Sequence, residues 1–469
     1  MRSSLIFFKQ ILILKIITLL LLLTGCQASS VDELLQYQIA KSSTAAAFPT
    51  PLPIDGIAVP AITKETILGP DNRVLFYWTR SDLLWARVEP KEGERNWQAV
   101  SEFEDNLIKA SASGINTIVI LENTPQWALN ADYACGAVAS EKFPALQMFV
   151  SDMVTRYHQP PYNVKFWELW NEPDVENFLG CWGDKDDPYF GGGYYAEMLK
   201  VVYPSIKAAD PEAHVLVGGL LLDCDPVNPP TLPDQPGISK DCSPANFLQG
   251  ILNNSGGQFF DGVSFHAYDY YRGKLGEYAN LNWGSTWNTT GPVLVKKSLY
   301  LRSLLEQAGV RDKFLMNTEL ALLCGRDGSE EPCRTENFEN TKSYYIAQAY
   351  SVAAAEQLTS NIWYMLTGWR GSNLVDDLFR PLPALQAYQF ITGQLKNSRF
   401  SREIADFNGV RGYEFVNGGR LWWILWSLDG NESSVQLPNL PATLFDVYGN
   451  PIEISATINV TIMPLIIQW

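Results

Sequence analysis

Val164-Lys165-Phe166-Trp167-Glu168-Leu169-Trp170-Asn171-Glu172-Pro173-Asp174 reads as a buried strand that ends on two polar side chains and is stopped by a proline, which cannot continue a sheet ladder. Lys313-Phe314-Leu315-Met316-Asn317-Thr318-Glu319 is built the same way, a buried run that finishes on a carboxylate. Working outward, further apolar runs fall at Val74–Trp78, Thr117–Glu122, His214–Gly218, Gly262–His266 and Asn361–Met365, with a weaker first one near Gly56–Pro60. Segments of helical period separate them. Phe103, Leu107 and Ile108 follow a Ser101/Glu104 capping box and stop at Gly114; Pro144 opens a helix to Tyr157; Leu301, Leu304, Leu305 and Ala308 keep helical spacing up to Gly309; another helix spans 341–356. Eight strand-then-helix units in succession predict an α/β fold, a (β/α)8 TIM barrel whose chemistry sits at the C-terminal ends of the strands.

From about Arg402 the rhythm becomes short strands without helices. Arg411–Val416 and Gly419–Ser427 flank Asn417-Gly418, a hairpin signal, and Tyr448-Gly449-Asn450-Pro451 marks a second turn. This end is expected to form a small β-sandwich, with Trp422, Trp423 and Trp426 in its core rather than against a sugar. The domain reading is 1–25 signal peptide, 26–55 flexible tether, 56–397 barrel and 398–469 sandwich.

The chain has 469 residues, 46% hydrophobic, 18% charged and 12% aromatic, so it buries a large core with rings to spare for stacking on a ligand. A net charge of −16 argues against nucleic acid and anionic lipid as partners. Three histidines, His158, His214 and His266, argue against a His-rich metal site.

Arg2, Lys9 and Lys15, then the apolar run Ile16–Leu23, then Leu23-Thr24-Gly25-Cys26 read as a secretory signal. Leu-Thr-Gly-Cys resembles the bacterial lipobox, in which Cys26 is lipidated and becomes the mature N-terminus; membrane attachment is expected through that anchor alone. The chain is thus read as an exported, cell-surface or membrane-anchored lipoprotein. The remaining Cys135, Cys181, Cys224, Cys242, Cys324 and Cys333 include no C-x-x-C pair, and an even number outside the cytosol favours disulfides. All six fall in loops after strands 3, 4, 5 and 7, which gives the expected pairs 135–181, 224–242 and 324–333.

Strands 4 and 7 face each other across a barrel mouth, so Glu172 and Glu319 would present two carboxylates to one ligand. Glu172, flanked by Trp170 and near the Glu319 charge, is the group whose pKa such a setting raises. Two carboxylates so placed are what glycoside hydrolysis requires. Trp170-Asn171-Glu172-Pro173, Trp85-Ala-Arg-Val-Glu-Pro-Lys-Glu-Gly93 with Trp97, and Thr124-Pro-Gln-Trp127 resemble glycoside hydrolase clan A, most of all family 39, over most of residues 70–370. The resemblance implies a retaining glycosidase, β-xylosidase-like, acting on an oligo- or polysaccharide without metal or organic cofactor. It implies Glu172 as acid/base, Glu319 as nucleophile, and Asn171 as a donor to the sugar 2-OH. His266 and Tyr268 end strand 6 and are candidate substrate-binding residues; by the same resemblance Tyr268 bonds the nucleophile and Trp363 lies beneath the reacting sugar, and Trp127 is a candidate for an outer subsite. The clan often carries an Arg inside strand 2, whereas Val74–Trp78 contains none and Arg73 and Arg80 only flank it. An endo-acting glucanase or mannanase, and a carbohydrate-binding lipoprotein without catalysis, are the alternatives.

If Cys26 carries the anchor, Cys26→Ala moves the protein from the detergent phase to the aqueous phase in a partitioning assay. Unchanged membrane retention refutes the anchor.

Overall fold

The computed structural model describes residues 52–69, 71–130, 136–175, 182–232 and 234–469. The signal, the lipobox with Cys26, nearly all of the tether, and Cys135 and Cys181 lie outside them. No helix among the described residues is long and apolar enough to cross a membrane.

Each of eight strands is followed by its helix: β1 (Asp55–Ile57), α1 (Lys64–Ile67), β2 (Trp78–Leu84), α2 (Ser101–Ala112), β3 (Asn116–Glu122), α3 (Phe143–Tyr157), β4 (Phe166–Asn171), α4 (Gly192–Ala209), β5 (His214–Leu220), α5 (Phe247–Asn253), β6 (Gly262–Tyr271), α6 (Leu294–Gln307), β7 (Phe314–Leu323), α7 (Glu336–Ala355), β8 (Asn361–Trp363) and α8 (Pro383–Leu395). Neighbouring strands pair in parallel and β8 returns to β1, closing the barrel. Because side chains alternate along a strand, the two faces bury different sets. One cluster, with Trp78, Ile118, Phe166, Leu216, Phe314, Met316 and Ile362, draws on six of the strands and on no helix, and fills the barrel interior. The other faces pack against the helices.

Strand 2 lies further along than its apolar run suggests. The run Val74–Trp78 mostly approaches the barrel, while the paired segment is Trp78–Leu84, in register with Asn116–Glu122. Arg80 is therefore inside strand 2, and the departure from the clan pattern disappears. The capping box is also absent: α2 grows out of a 3-10 turn, Trp97–Val100, without a side-chain cap. Glu104 instead accepts bonds from Arg156 and Tyr157 at 2.7 and 2.9 Å.

After α8 the chain builds a β-sandwich. Arg399–Ile404, Val410–Asn417, Arg420–Ser427, Leu465–Gln468 and Thr443–Phe445 form one antiparallel sheet in that order, and Ser433–Gln436 pairs with Thr457–Val460. The hairpin turn is Gly418-Gly419, one residue later than expected, since Asn417 still pairs with Arg420; both glycines take positive φ, 56° and 87°. Trp422, Ile424 and Trp426 point to the barrel core, and Trp423 and Leu425 to the core between the two sheets.

Cys224–Cys242 closes the loop after β5 and Cys324–Cys333 the loop after β7, as expected from the sequence. Loops of this size gain on the order of 2–4 kcal/mol from a cross-link. Non-reducing peptide mapping should recover both pairs and leave Cys135 joined to Cys181; a free thiol at either of the last two removes the third bridge.

Candidate active site

Glu172 and Glu319 reach the mouth by two different interruptions of regular strand geometry. Along β7, strict alternation from Phe314 and Met316 would put Thr318 inward and Glu319 outward. A bulge between Asn317 and Glu319 adds one residue, so that Glu319 pairs with His266 and turns into the barrel. At the end of β4, Trp170 takes φ 66° and Glu172 φ 44°. Left-handed backbone at non-glycine residues costs about 1–3 kcal/mol each, and here it re-aims the side chains. Trp170 packs outward on Trp182 at 5.0 Å, while Asn171 and Glu172 face the mouth.

The inward faces of β2, β4, β6 and β7 then assemble one network. The Arg80 guanidinium donates to Glu319 Oε1, to Glu168 Oε1 at 2.5 Å and to Asn171 Oδ1 at 3.1 Å. Tyr268 donates its hydroxyl to Glu319 Oε2, so both oxygens of Glu319 are held. Glu172 shares a 2.7 Å hydrogen bond with His266 Nδ1. One oxygen of each glutamate and a ring nitrogen of His266 all lie within 4.8 Å of one another. These three could ligate a cation by distance alone, in competition with Arg80 and Tyr268 for the charge of Glu319.

Electrostatics distinguishes the two glutamates. Burial pushes the Glu172 carboxyl up to about 7; Glu168 adds to the rise, while Lys297 and Arg80 pull against it. The elevation expected from the Glu319 charge is thus chiefly an effect of burial, because Arg80 sits directly against Glu319. Burial opposes the Arg80 charge as well, but Glu168 and Glu319 outweigh it and hold the guanidinium protonated. Burial lowers His266 to about 4, against the pull of Glu319, so the imidazole is neutral near pH 7.

Asn171, Glu172, His266, Tyr268 and Glu319 therefore come together. Trp363 and Trp127 do not join them. Trp363 is fully buried on the outer face of β8, its indole N–H donating to the Ser372 carbonyl at 2.8 Å. The next residue, Tyr364, faces the mouth, and its ring lies 5.9 Å from that of Trp369, which is 5.4 Å from Tyr268. Trp127 belongs to a separate group, donating to the Glu89 carbonyl at 3.0 Å and meeting Trp85 at 5.5 Å. Sequence reasoning missed Arg80, Glu122 and Tyr364. Trp78, Arg80 and Asp82 at a spacing of two are the signal for the first, a barrel strand whose inner face turns polar toward the mouth. Burial brings Glu122, at the end of β3, up to about 7, with Asp82 adding to it.

No protein-family model matches the sequence, and neither does any curated protein. Solved structures do. A family 39 glycoside hydrolase from the gut symbiont Bacteroides cellulosilyticus WH2 is 20% identical, with TM-score 0.60 over 89% of this chain and 81% of that one. A GH30 endoxylanase from Clostridium papyrosolvens C71 is 12% identical, with TM-score 0.58 over 89% and 96%. A monomeric β-xylosidase from Caulobacter crescentus CB15 is 15% identical, with TM-score 0.54 over 89% and 96%. The chain shares their fold.

Removing Arg80 strands Glu168 and Glu319 as buried, uncompensated charges. Arg80→Leu is expected to cost on the order of 3–5 kcal/mol at pH 7 by denaturant unfolding. Equal stability of variant and parent at pH 7 contradicts this account.

Proposed function

We propose that the chain is a retaining glycoside hydrolase acting on an oligo- or polysaccharide by double displacement. One observation carries the reading: the carboxyls of Glu172 and Glu319 face each other in the barrel mouth, with one oxygen of each within 4.8 Å of the other, in contrasting surroundings. Carboxyl groups about 5–5.5 Å apart suit a nucleophile beside an acid/base, whereas an inverting pair needs about 6.5–9.5 Å to admit a water. Glu319, held at both oxygens by Arg80 and Tyr268, has the donors that favour a carboxylate. Glu172, buried and raised to about 7, retains a proton near neutrality.

In the first step Glu319 attacks the anomeric carbon, the bond to the leaving oxygen breaks, and that oxygen takes the proton of Glu172. In the second, a water gives its proton to Glu172 as its oxygen displaces Glu319 from the same carbon. Arg80 and Tyr268, one on each oxygen, orient the attacking carboxylate, and Asn171, fixed by Arg80, is placed to meet the adjacent sugar hydroxyl. Xylosides are the first substrates to try, because the β-xylosidase and the endoxylanase share this fold. Export on a Cys26 lipid anchor would put the site where polysaccharide is met, and the two bridges suit such a compartment.

Glu172→Ala should spare the first step for activated aryl glycosides, which need no proton, and stall the second. Azide, which needs no general base, should restore turnover and give a glycosyl azide of retained configuration. Glu319→Ala should lose turnover of every substrate, and any azide product should be inverted. Exchanged behaviours reverse the assignment. A panel of aryl glycosides beside polysaccharide digestion separates exo from endo action, and no turnover in either indicates a binding protein.

A further inference from the structure

A second cation is buried next to the mouth. Lys297 lies in the first turn of α6, and its side chain runs inward, leaving the residue 3% exposed. Its ammonium donates to the carbonyl of Leu221, just past β5, at 2.6 Å, and to the carbonyl of His266 on β6 at 2.8 Å. The same segment is gripped from other directions. Asp174, two residues after Glu172, accepts the N–H groups of Leu221 and Leu222 at 2.9 and 2.8 Å. Trp283 donates its indole N–H to the Leu222 carbonyl at 2.7 Å, and its ring lies 5.9 Å from the Lys297 ammonium. Leu222 adopts φ 50°, a conformation leucine avoids unless its surroundings impose it. Taking an ammonium out of water costs several kcal/mol, and two neutral carbonyls do not offset that by themselves.

We propose that Lys297 is a positioning residue for the acid/base: it locks the ends of β5 and β6 around Glu172 and supplies the positive charge that offsets the carboxyl's burial. The inference rests on the role given to Glu172 above. Charged and titratable groups surround that carboxyl: Arg80 on β2, Glu168 on β4 and Asp174 in the loop after it, His266 and Tyr268 on β6, Lys297 on α6, Glu319 on β7 and Tyr364 just past β8. Lys297 itself meets Asp174, Glu172, Asp223 and Asp269. Of the two cations that pull Glu172 down, Lys297 acts more strongly, and Arg80 is already committed to Glu168 and Glu319. Burial brings the ammonium down to about 8, while Asp174, Glu172, Asp223 and Asp269 favour its charged form.

The test is the pH profile of kcat/KM on a glycoside with a poor leaving group, whose alkaline limb reports the acid in the free enzyme. In Lys297→Met the limb should move up by about one pH unit, and Lys297→Arg should leave it in place. A limb that stays put in a folded Lys297→Met protein overturns the proposal, because packing alone would change rate or stability without moving it. Lys297→Gln serves as a second neutral variant. If neither neutral variant folds, Lys297→Arg decides: an unmoved limb supports the proposal and a displaced one overturns it. A parent profile with no alkaline limb counts against the Glu172 role itself, whereas a limb indifferent to Lys297 counts against this inference alone.

Discussion

The guanidinium of Arg80, with its side chain 6% exposed, is the constraint on which the mouth depends. Glu168 and Glu319 are both buried, and two carboxylates drawn into a barrel without a cation would repel each other. Arg80 donates to both and to Asn171, so one planar fork fixes three side chains from two strands. It also gives the two glutamates different surroundings. Since the charge of Glu319 is met at close range, Glu172 is left to respond mainly to its own desolvation, and the two acids separate by environment although they are the same residue type.

The strands that announce themselves in the sequence are those whose two faces are both apolar below the mouth. Phe166–Leu169, interrupted only by the inward Glu168, and Phe314–Met316 read as buried runs because one face fills the barrel and the other meets helices, and each leads directly to its glutamate. Strand 2 hides because Arg80 and Asp82 occupy inward positions where an apolar pattern is sought, and the nearby run Val74–Trp78 offers a better one. Periodicity also fails at the site residues themselves. The bulge before Glu319 and the left-handed turn at Trp170 each shift the alternation by one residue, which a count along the chain does not register. The same one-residue uncertainty separates Trp363, facing the helices, from Tyr364, facing the mouth. Lys297 gave no signal, because a lysine on an amphipathic helix ordinarily faces water.

The sandwich strand Arg420–Ser427 shows the opposite case, where alternation holds along its length. From Trp422 to Trp426 successive side chains go to the barrel, to the inner core, and back again. Ring-rich strands of this kind could be mistaken for a sugar-binding surface, but their indoles are consumed in joining two layers of core. Stacking of Phe415 on Trp422 at 4.6 Å belongs to the face that seats this sheet on the barrel. The C-terminal sheet is thus packed into the body of the protein through the same hydrophobic cluster that surrounds the barrel.

The apolar plug formed by Trp78, Ile118, Phe166, Leu216, Phe314, Met316 and Ile362 makes the barrel a blind-ended well. Whatever enters by the mouth leaves by the mouth. In the proposed reaction, leaving fragment, water and any sugar acceptor therefore reach and leave Glu172 and Glu319 from the same end of the barrel, and a sugar acceptor competes with water for the covalent intermediate.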